Sequence, residues 1–193
     1  MDRFEIIAAL FGVVSVFLSV RQNIWSWPTA IVNVGMYIVV FYRSKLYSDT
    51  GLQVIYVALN FYGWYQWLYG GKNRTELPVT RTTGRLAAVL VVIAAVTTMV
   101  LGTLVSHNTD AALPYIDAAT TSTSLVAQWM MTRKLLENWI VWVSVDVVYI
   151  GMYIYKDLHV TAVLYLVFLL LSVMGYMQWK RTLNAPAAVA VPA

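Results

Sequence analysis

The sequence predicts an all-α integral membrane protein with seven transmembrane helices, built as two parallel three-helix repeats joined by a linker helix (a 3+1+3 arrangement). Three observations support this fold: the composition, the spacing of apolar segments and an internal repeat. Of the 193 residues, 60% are hydrophobic and 11% are charged. A soluble domain carries about 25% charged residues because its surface faces water. The composition therefore excludes an ordinary soluble domain.

Seven apolar segments are long enough to cross a membrane, since a hydrocarbon core about 30 Å thick needs roughly 17 to 25 mostly apolar residues per helix. These predicted segments are about 5–20, 24–42, 51–69, 86–106, 113–131, 138–155 and 160–179. The remaining stretch at 184–193 consists of small and apolar residues, and we expect it to be a disordered tail.

The Lys and Arg residues of the connecting loops predict the orientation. With seven helices, nine of them fall on one side of the membrane and four on the other. Loops rich in Lys and Arg stay on the cytoplasmic side. We therefore expect the C-terminus in the cytoplasm and the N-terminus outside.

An internal repeat organises the chain. The Gly-Met-Tyr sequence at 35–37 recurs at 151–153, and the aromatic block at 63–67 recurs at 175–179. Between these matches the first copy is longer by about four residues, close to one helical turn. The predicted units are 1–70, a linker of 71–110 and 111–183. A single linking helix makes the copies run in the same direction, a plan that places substrate near the midplane where the repeats meet. The linker helix itself is expected to be a connector.

Three polar side chains lie at the centres of predicted segments: Asn33, Asn60 and Asp146. Polar groups at this depth are costly, with an Asp at about 2.5–3.5 kcal/mol, so they persist where they meet a cavity, a partner or a substrate. Asp146 is the strongest candidate, because no Lys or Arg lies in any segment interior. Asn33 and Asn60 have an equally simple alternative, since amides also join membrane helices by hydrogen bonds.

Polar and aromatic residues continue from these positions at helical spacing. A carboxylate between aromatic rings suits a flat organic cation, because each ring face contributes roughly 0.5–2 kcal/mol of cation–π attraction. The predicted substrate-binding residues are Asn33, Gln53, Tyr56, Asn60, Trp64, Gln128, Trp142, Asp146 and Tyr149.

Five further tryptophans lie near the predicted cytoplasmic interface, where Trp and Tyr commonly form a belt. We expect such a belt at Trp25, Trp27, Trp67, Trp139 and Trp179, with contact to the ligand as the alternative.

The residue inventory also limits the other functions. Cysteine is absent, and the two histidines lie near segment ends and form no cluster. We therefore expect no metal, no cofactor and no enzyme activity, since a catalyst needs a nucleophile with a base or a metal site. The basic residues lie in short blocks between apolar runs, which is typical of membrane loops and gives no reason to expect a nucleic-acid partner.

Four sequence blocks resemble the PnuC family of vitamin transporters. They are Ile24-Trp25-Ser26-Trp27-Pro28, Leu46-Tyr47-Ser48-Asp49, Tyr62-Gly63-Trp64-Tyr65-Gln66-Trp67 and Glu137-Asn138-Trp139-Ile140-Val141-Trp142. The resemblance covers roughly 5–181. It implies a SWEET-like fold, a homotrimer and a location in the bacterial plasma (inner) membrane. It also implies uptake of nicotinamide riboside by facilitated diffusion, with trapping by a cytosolic kinase. It also implies substrate contacts from Trp142, Asp146, Asn60, Gln53 and Tyr56.

Several alternatives stay open. Relatives in this family carry thiamine, riboflavin or deoxynucleosides, and the sixth-segment position is Asp146 here where some members have Asn. Thiamine is a flat cation like nicotinamide riboside and fits equally well, whereas neutral riboflavin fits less well. A proton-coupled carrier, or an assembly subunit that transports nothing, are further hypotheses.

Overall fold

The described part of the chain forms seven long helices, and they match the seven predicted segments. The structure, a computed structural model, describes residues 3–43, 47–108 and 113–185, so the predicted tail beyond 185 lies outside the described residues. The helices are α1 (Arg3–Val20), α2 (Ser26–Arg43), α3 (Tyr47–Tyr69), α4 (Gly84–Asn108), α5 (Pro114–Thr132), α6 (Asn138–Tyr155) and α7 (His159–Asn184). Within the described ranges, β-pairing is limited to one isolated bridge between Thr80 and Leu135.

The helices differ in polarity. By length and composition alone, α1, α4, α6 and α7 are apolar enough to cross a membrane. The other three, α2, α3 and α5, are of similar length and contain Asn33, Asn60 and Gln128 in their interiors. Side chains of this kind in a membrane helix are almost always turned towards other helices or a cavity. The more polar helices should therefore be those that line an interior site.

The packing follows the predicted 3+1+3 arrangement. Helix α2 packs against α1 and α3, and α6 packs against α5 and α7. The two bundles meet along α1 with α7 and along α3 with α5, while α4 packs against α5. Because α1 corresponds to α5 and α3 to α7, the two contacts between the bundles are equivalent in the two repeats.

Four tryptophans form a cluster where the two bundles meet. The ring centroids of Trp27 and Trp67 lie 5.2 Å apart, those of Trp139 and Trp179 lie 5.4 Å apart, and Trp67 and Trp179 join the two pairs at 5.8 Å. All four side chains are at most 3% exposed. The expectation of an interfacial belt is therefore wrong for these four, because they fill the contact between helices instead of facing lipid. Trp25 is 65% exposed, so for this residue the interfacial position stays a prediction.

Two glycines allow this cluster to form. A Cβ atom at Gly63 would lie 2.2 Å from the Trp27 ring, and a Cβ atom at Gly175 would lie 2.5 Å from the Trp139 ring. No other residue type leaves room for an indole this close to the backbone. The paired glycines of the two aromatic blocks are thus explained by the packing of the paired tryptophans.

The structure also corrects the register of the repeat. Trp27 and Trp139 are separated by the same number of residues as Trp67 and Trp179. The edge-on contact of Trp27 with Trp67 in the first copy is repeated by Trp139 with Trp179 in the second. Equivalent positions therefore keep a constant separation along both copies. The Gly-Met-Tyr sequences at 35–37 and 151–153 lie about one helical turn apart in this register.

The segment before α4 is fastened to the turn between α5 and α6. The Thr80 amide donates to the Lys134 carbonyl at 3.1 Å, and the Leu136 amide donates to the Thr80 carbonyl at 2.8 Å. The Lys134 Nζ lies 4.5 Å from the centre of the Trp67 ring. Burial lowers the pKa of Lys134, an effect that the Glu76 carboxylate partly offsets. A cation is thus held against the outer side of the tryptophan cluster.

Candidate functional site

A cavity of about 770 Å³ lies between the two three-helix bundles. All six helices of the repeats contribute to its wall, and no described residue of α4 does, as expected for a connector. Trp27 and Trp139 line the end next to the tryptophan cluster. Glu5, near the start of α1, and Tyr153, near the end of α6, line the opposite end. The cavity therefore extends from the tryptophan cluster towards the other membrane face.

Asp146 lies in the wall of this cavity. Its side chain is 3% exposed, and the Ser172 hydroxyl of α7 donates to its Oδ2 at 3.1 Å. No Lys, Arg or His is among the described residues that line the cavity, and none of the ion pairs in the described part of the chain involves Asp146. The carboxylate thus faces neither lipid nor a structural cation, and it can accept a positive ligand.

Two amides that line the cavity also join helices. The Gln128 Nε2 of α5 donates to the Asn60 Oδ1 of α3 at 2.8 Å, across one contact between the bundles. The Asn33 Nδ2 of α2 donates to the Ala8 carbonyl of α1 at 2.6 Å. Both interpretations of these residues therefore apply: each amide makes a structural hydrogen bond and lies in the cavity wall. Each amide also has further donor or acceptor capacity for a ligand.

An aromatic group lines the cavity on the α6 and α7 side. Tyr149 stacks on Tyr153 with ring centroids 5.8 Å apart, and Tyr165 packs against them at 4.8 and 5.0 Å. Phe168 meets Tyr165 edge-on at 5.7 Å. Ring faces near a carboxylate can hold a flat cation by stacking and by cation–π attraction.

The structure brings eight of the nine predicted residues into this one cavity. They are Asn33, Gln53, Tyr56, Asn60, Gln128, Trp142, Asp146 and Tyr149. The ninth, Trp64, is not part of the lining and packs instead against the tryptophan cluster. Helical spacing placed Trp64 on the same broad face as Asn60, but it lies about one turn closer to the cluster, where the helices are in contact.

Other lining residues are outside the nine predicted substrate-binding residues. Ser172 bonds to Asp146, and the repeat offers the signal that could have found it, because Ser172 has the same place in the second copy as Asn60 has in the first. Trp27 and Trp139 also line the cavity, and their buried indole Nε1 atoms have no partner among the described residues. Buried polar atoms are normally hydrogen-bonded. Within the described part of the chain, these two indole donors therefore stay unpaired beside the cavity.

The chain matches one protein-family model and several characterised transporters. A family model described as nicotinamide mononucleotide transporter matches residues 2–181. The nicotinamide riboside transporter PnuC of Escherichia coli is 24% identical, over 91% of this chain and 84% of its own length. The protein of the same name from Neisseria mucosa is 28% identical, over 91% of this chain and 71% of its own length.

A flavin transporter and a solved structure are also similar. The riboflavin/roseoflavin transporter RibM of Streptomyces davaonensis is 23% identical, over 98% of this chain and 91% of its own length. A crystal structure of the vitamin B3 transporter PnuC has a TM-score of 0.74 and 26% identity to this chain, covering 94% of this chain and 82% of that one. Both comparisons extend over nearly the whole chain.

Proposed function

The chain belongs to the nicotinamide mononucleotide transporter family, and we propose that it carries nicotinamide riboside across the bacterial inner membrane by facilitated diffusion. Because the family consists of membrane transporters, the chain is not an enzyme. The relatives from Escherichia coli and Neisseria mucosa are named as nicotinamide riboside transporters, which supports this choice of substrate.

A single buried carboxylate carries the proposal. Asp146 lies in a cavity whose described lining contains no basic side chain and includes several aromatic rings. Nicotinamide riboside has a flat, positively charged pyridinium ring and a ribose with hydroxyl groups. Asp146 would offset the charge, Trp142 and Tyr149 would pack on the ring, and amides such as Asn60 and Gln53 would bond to the hydroxyls.

The same cavity favours the nucleoside over the nucleotide. A phosphate group is normally met by Arg, Lys or backbone amide donors, and the described lining residues include no Lys, Arg or His. Asp146 would in addition repel the phosphate. We infer that the mononucleotide binds much more weakly than the riboside.

Transport would proceed by alternating access, with the two bundles rocking around the midplane site. The tryptophan cluster closes one end of the cavity in this structure, and it lies on the side that the charge distribution assigns to the cytoplasm. In this orientation the N-terminus is outside, the C-terminus is inside, and a cytosolic kinase would trap the substrate. By family resemblance we propose a homotrimer, which native mass spectrometry of the purified protein would test.

Binding and uptake by the purified protein test the substrate. Calorimetry with nicotinamide riboside, its mononucleotide, thiamine and riboflavin should give the tightest binding for the riboside and at least about 100-fold weaker binding for the mononucleotide, equivalent to about 2.7 kcal/mol. Equal affinity for riboside and mononucleotide would contradict the proposal. Binding of thiamine without binding of the riboside would support thiamine, the other flat cation, as the substrate.

Riboflavin is a second candidate substrate, because the relative named as a riboflavin transporter matches 98% of this chain. Its ring system is neutral and would leave Asp146 without a counter-charge.

Uptake into proteoliposomes with and without a proton gradient separates facilitated diffusion from proton coupling, since only a coupled carrier would change its initial rate. If the protein binds and transports none of the four compounds, the result would favour the hypothesis of an assembly subunit that transports nothing.

A further inference from the structure

A second cavity, of about 350 Å³, lies outside the transport site, between the end of α1 and the last turns of α7. Its lining combines two arginines, Arg21 and Arg181, with Gln178 and the apolar side chains of Phe17, Met174 and Met177. Phe17, Met174 and Met177 are exposed, whereas Val20 at the base of the lining is buried, and the Arg21 guanidinium lies 5.2 Å from the centre of the Phe17 ring. The groove thus has a cationic end and an apolar wall.

The repeat supplies an internal comparison for this groove. Arg21 has the same place in the first copy as Arg133 has in the second, and each is followed by a residue with positive φ, Gln22 at 55° and Lys134 at 47°. The two turns are closed by equivalent backbone bonds, from Gln22 to Ser19 and from Lys134 to Met131. The backbone therefore presents the two arginines in the same way.

The surroundings of the two arginines differ. The Arg133 Nη1 donates to the Tyr62 hydroxyl at 3.2 Å, so this guanidinium has an acceptor within the protein. At the equivalent place beside Arg21 the side chain is Met174, which has no such hydroxyl acceptor. Arg181, the second cation of the groove, stands at the position that Tyr69 has in the first copy. In the described part of the chain, no ion pair involves Arg21 or Arg181. Two like charges therefore share one groove without an internal counter-charge.

We propose that this groove binds the phosphate of an anionic phospholipid, with Arg21 and Arg181 at the headgroup and an acyl chain along Phe17, Met174 and Met177. The groove lies at the membrane end with the greater number of Lys and Arg residues. That end is predicted to face the cytoplasmic leaflet, where anionic lipids attract basic side chains. The apolar wall favours a lipid over a free phosphate ion, because a phosphate ion has no apolar part that could pack against it.

Lipid-dependent stability of the delipidated, purified protein tests this site. Phosphatidylglycerol should raise the thermal unfolding temperature of the parent more than phosphatidylcholine does, and inorganic phosphate should have no effect. The double variant Arg21→Gln/Arg181→Gln should bind phosphatidylglycerol about 25-fold more weakly, or about fivefold per arginine. The matched control Arg133→Gln, in the other repeat, should bind it like the parent.

Three outcomes would overturn the proposal. They are an unchanged lipid affinity in the double variant, an equal loss in Arg133→Gln, and a response to inorganic phosphate as large as the response to lipid. The variant Met174→Tyr gives a second test that keeps both charges. It introduces the hydroxyl found beside Arg133, and it should weaken phosphatidylglycerol binding by satisfying Arg21 internally; unchanged affinity would contradict the role of the missing acceptor.

Discussion

Replacing Asp146 by Asn removes the charge of the proposed substrate site while keeping its shape. The Asn side chain has the same size and can still accept the hydrogen bond from the Ser172 hydroxyl, which lies 3.1 Å from Asp146. What is lost is the interaction of a 3% exposed carboxylate with a cationic ring. Interactions of a charged group of this kind contribute about 1.5–3 kcal/mol. This corresponds to an increase in the dissociation constant of about 10- to 150-fold.

The assay compares two ligands that differ in charge. Calorimetry with nicotinamide riboside and with its neutral dihydro form should show the full loss for the cation and less than about a threefold change for the neutral form, or under about 0.7 kcal/mol. Asp146→Ala should lose more than Asp146→Asn, because it also leaves the Ser172 hydroxyl without its partner. Ser172→Ala, which keeps the charge, is the matched control and should bind the cation nearly as well as the parent. An equal loss for both ligands, or none for the cation, would refute the cation site.

Three further predictions concern stability and are measured by thermal unfolding of the purified protein. Gly63→Ala should destabilise the protein by about 1–3 kcal/mol, because the new Cβ atom would lie 2.2 Å from the Trp27 ring. The control Gly51→Ala, in the same helix, meets no atom within 4 Å and should be neutral or stabilising. Similar losses of stability in the two variants would contradict the packing explanation. Asn60→Leu should lower the unfolding temperature, since it removes the acceptor 2.8 Å from an α5 amide and an unsatisfied buried donor costs about 1–3 kcal/mol; no change would mean that the amide finds another partner. Lys134→Met should unfold no earlier than the parent, because burial lowers the pKa of this lysine and the folded protein therefore disfavours its charged form. Any advantage of that variant should shrink as the pH is raised towards the ordinary lysine value of 10.5, and an earlier unfolding would show that the cation–π contact outweighs the cost of burying the charge.

Helix positions and the polar residues in the membrane interior followed from the sequence because both depend on local rules. A transmembrane helix must present about 20 mostly apolar residues, so the seven segments could be located within a few residues of their ends. A deep carboxylate needs a cavity, a partner or a substrate, and this requirement selected Asp146 as a residue that lines a cavity. Helical periodicity then added Trp142 and Tyr149 on the same face.

Contacts between helices could not be predicted from the sequence. Periodicity shows which residues share one face of a helix, but it does not show which other helix packs against that face. Trp27 and Trp139 have the residue type and the sequence position of membrane-interface residues. Only the structure shows that they are buried, because Gly63 of α3 packs on Trp27 and Gly175 of α7 packs on Trp139. The same limit applies to Trp64, which shares a helix face with Asn60 but packs against the tryptophan cluster and not on the cavity.

The amino-acid sequence by itself determined that the chain spans the membrane in two repeats and holds a carboxylate at mid-depth, since apolar length and the cost of a buried charge act within a single helix. Only the tertiary structure decided which groups share a space. Asp146 faces Ser172 and a cavity free of described basic residues, and Arg21 lacks the tyrosine that Arg133 has. The physical reason is that burial and charge compensation depend on neighbours from distant parts of the chain, and these are fixed only when the helices pack.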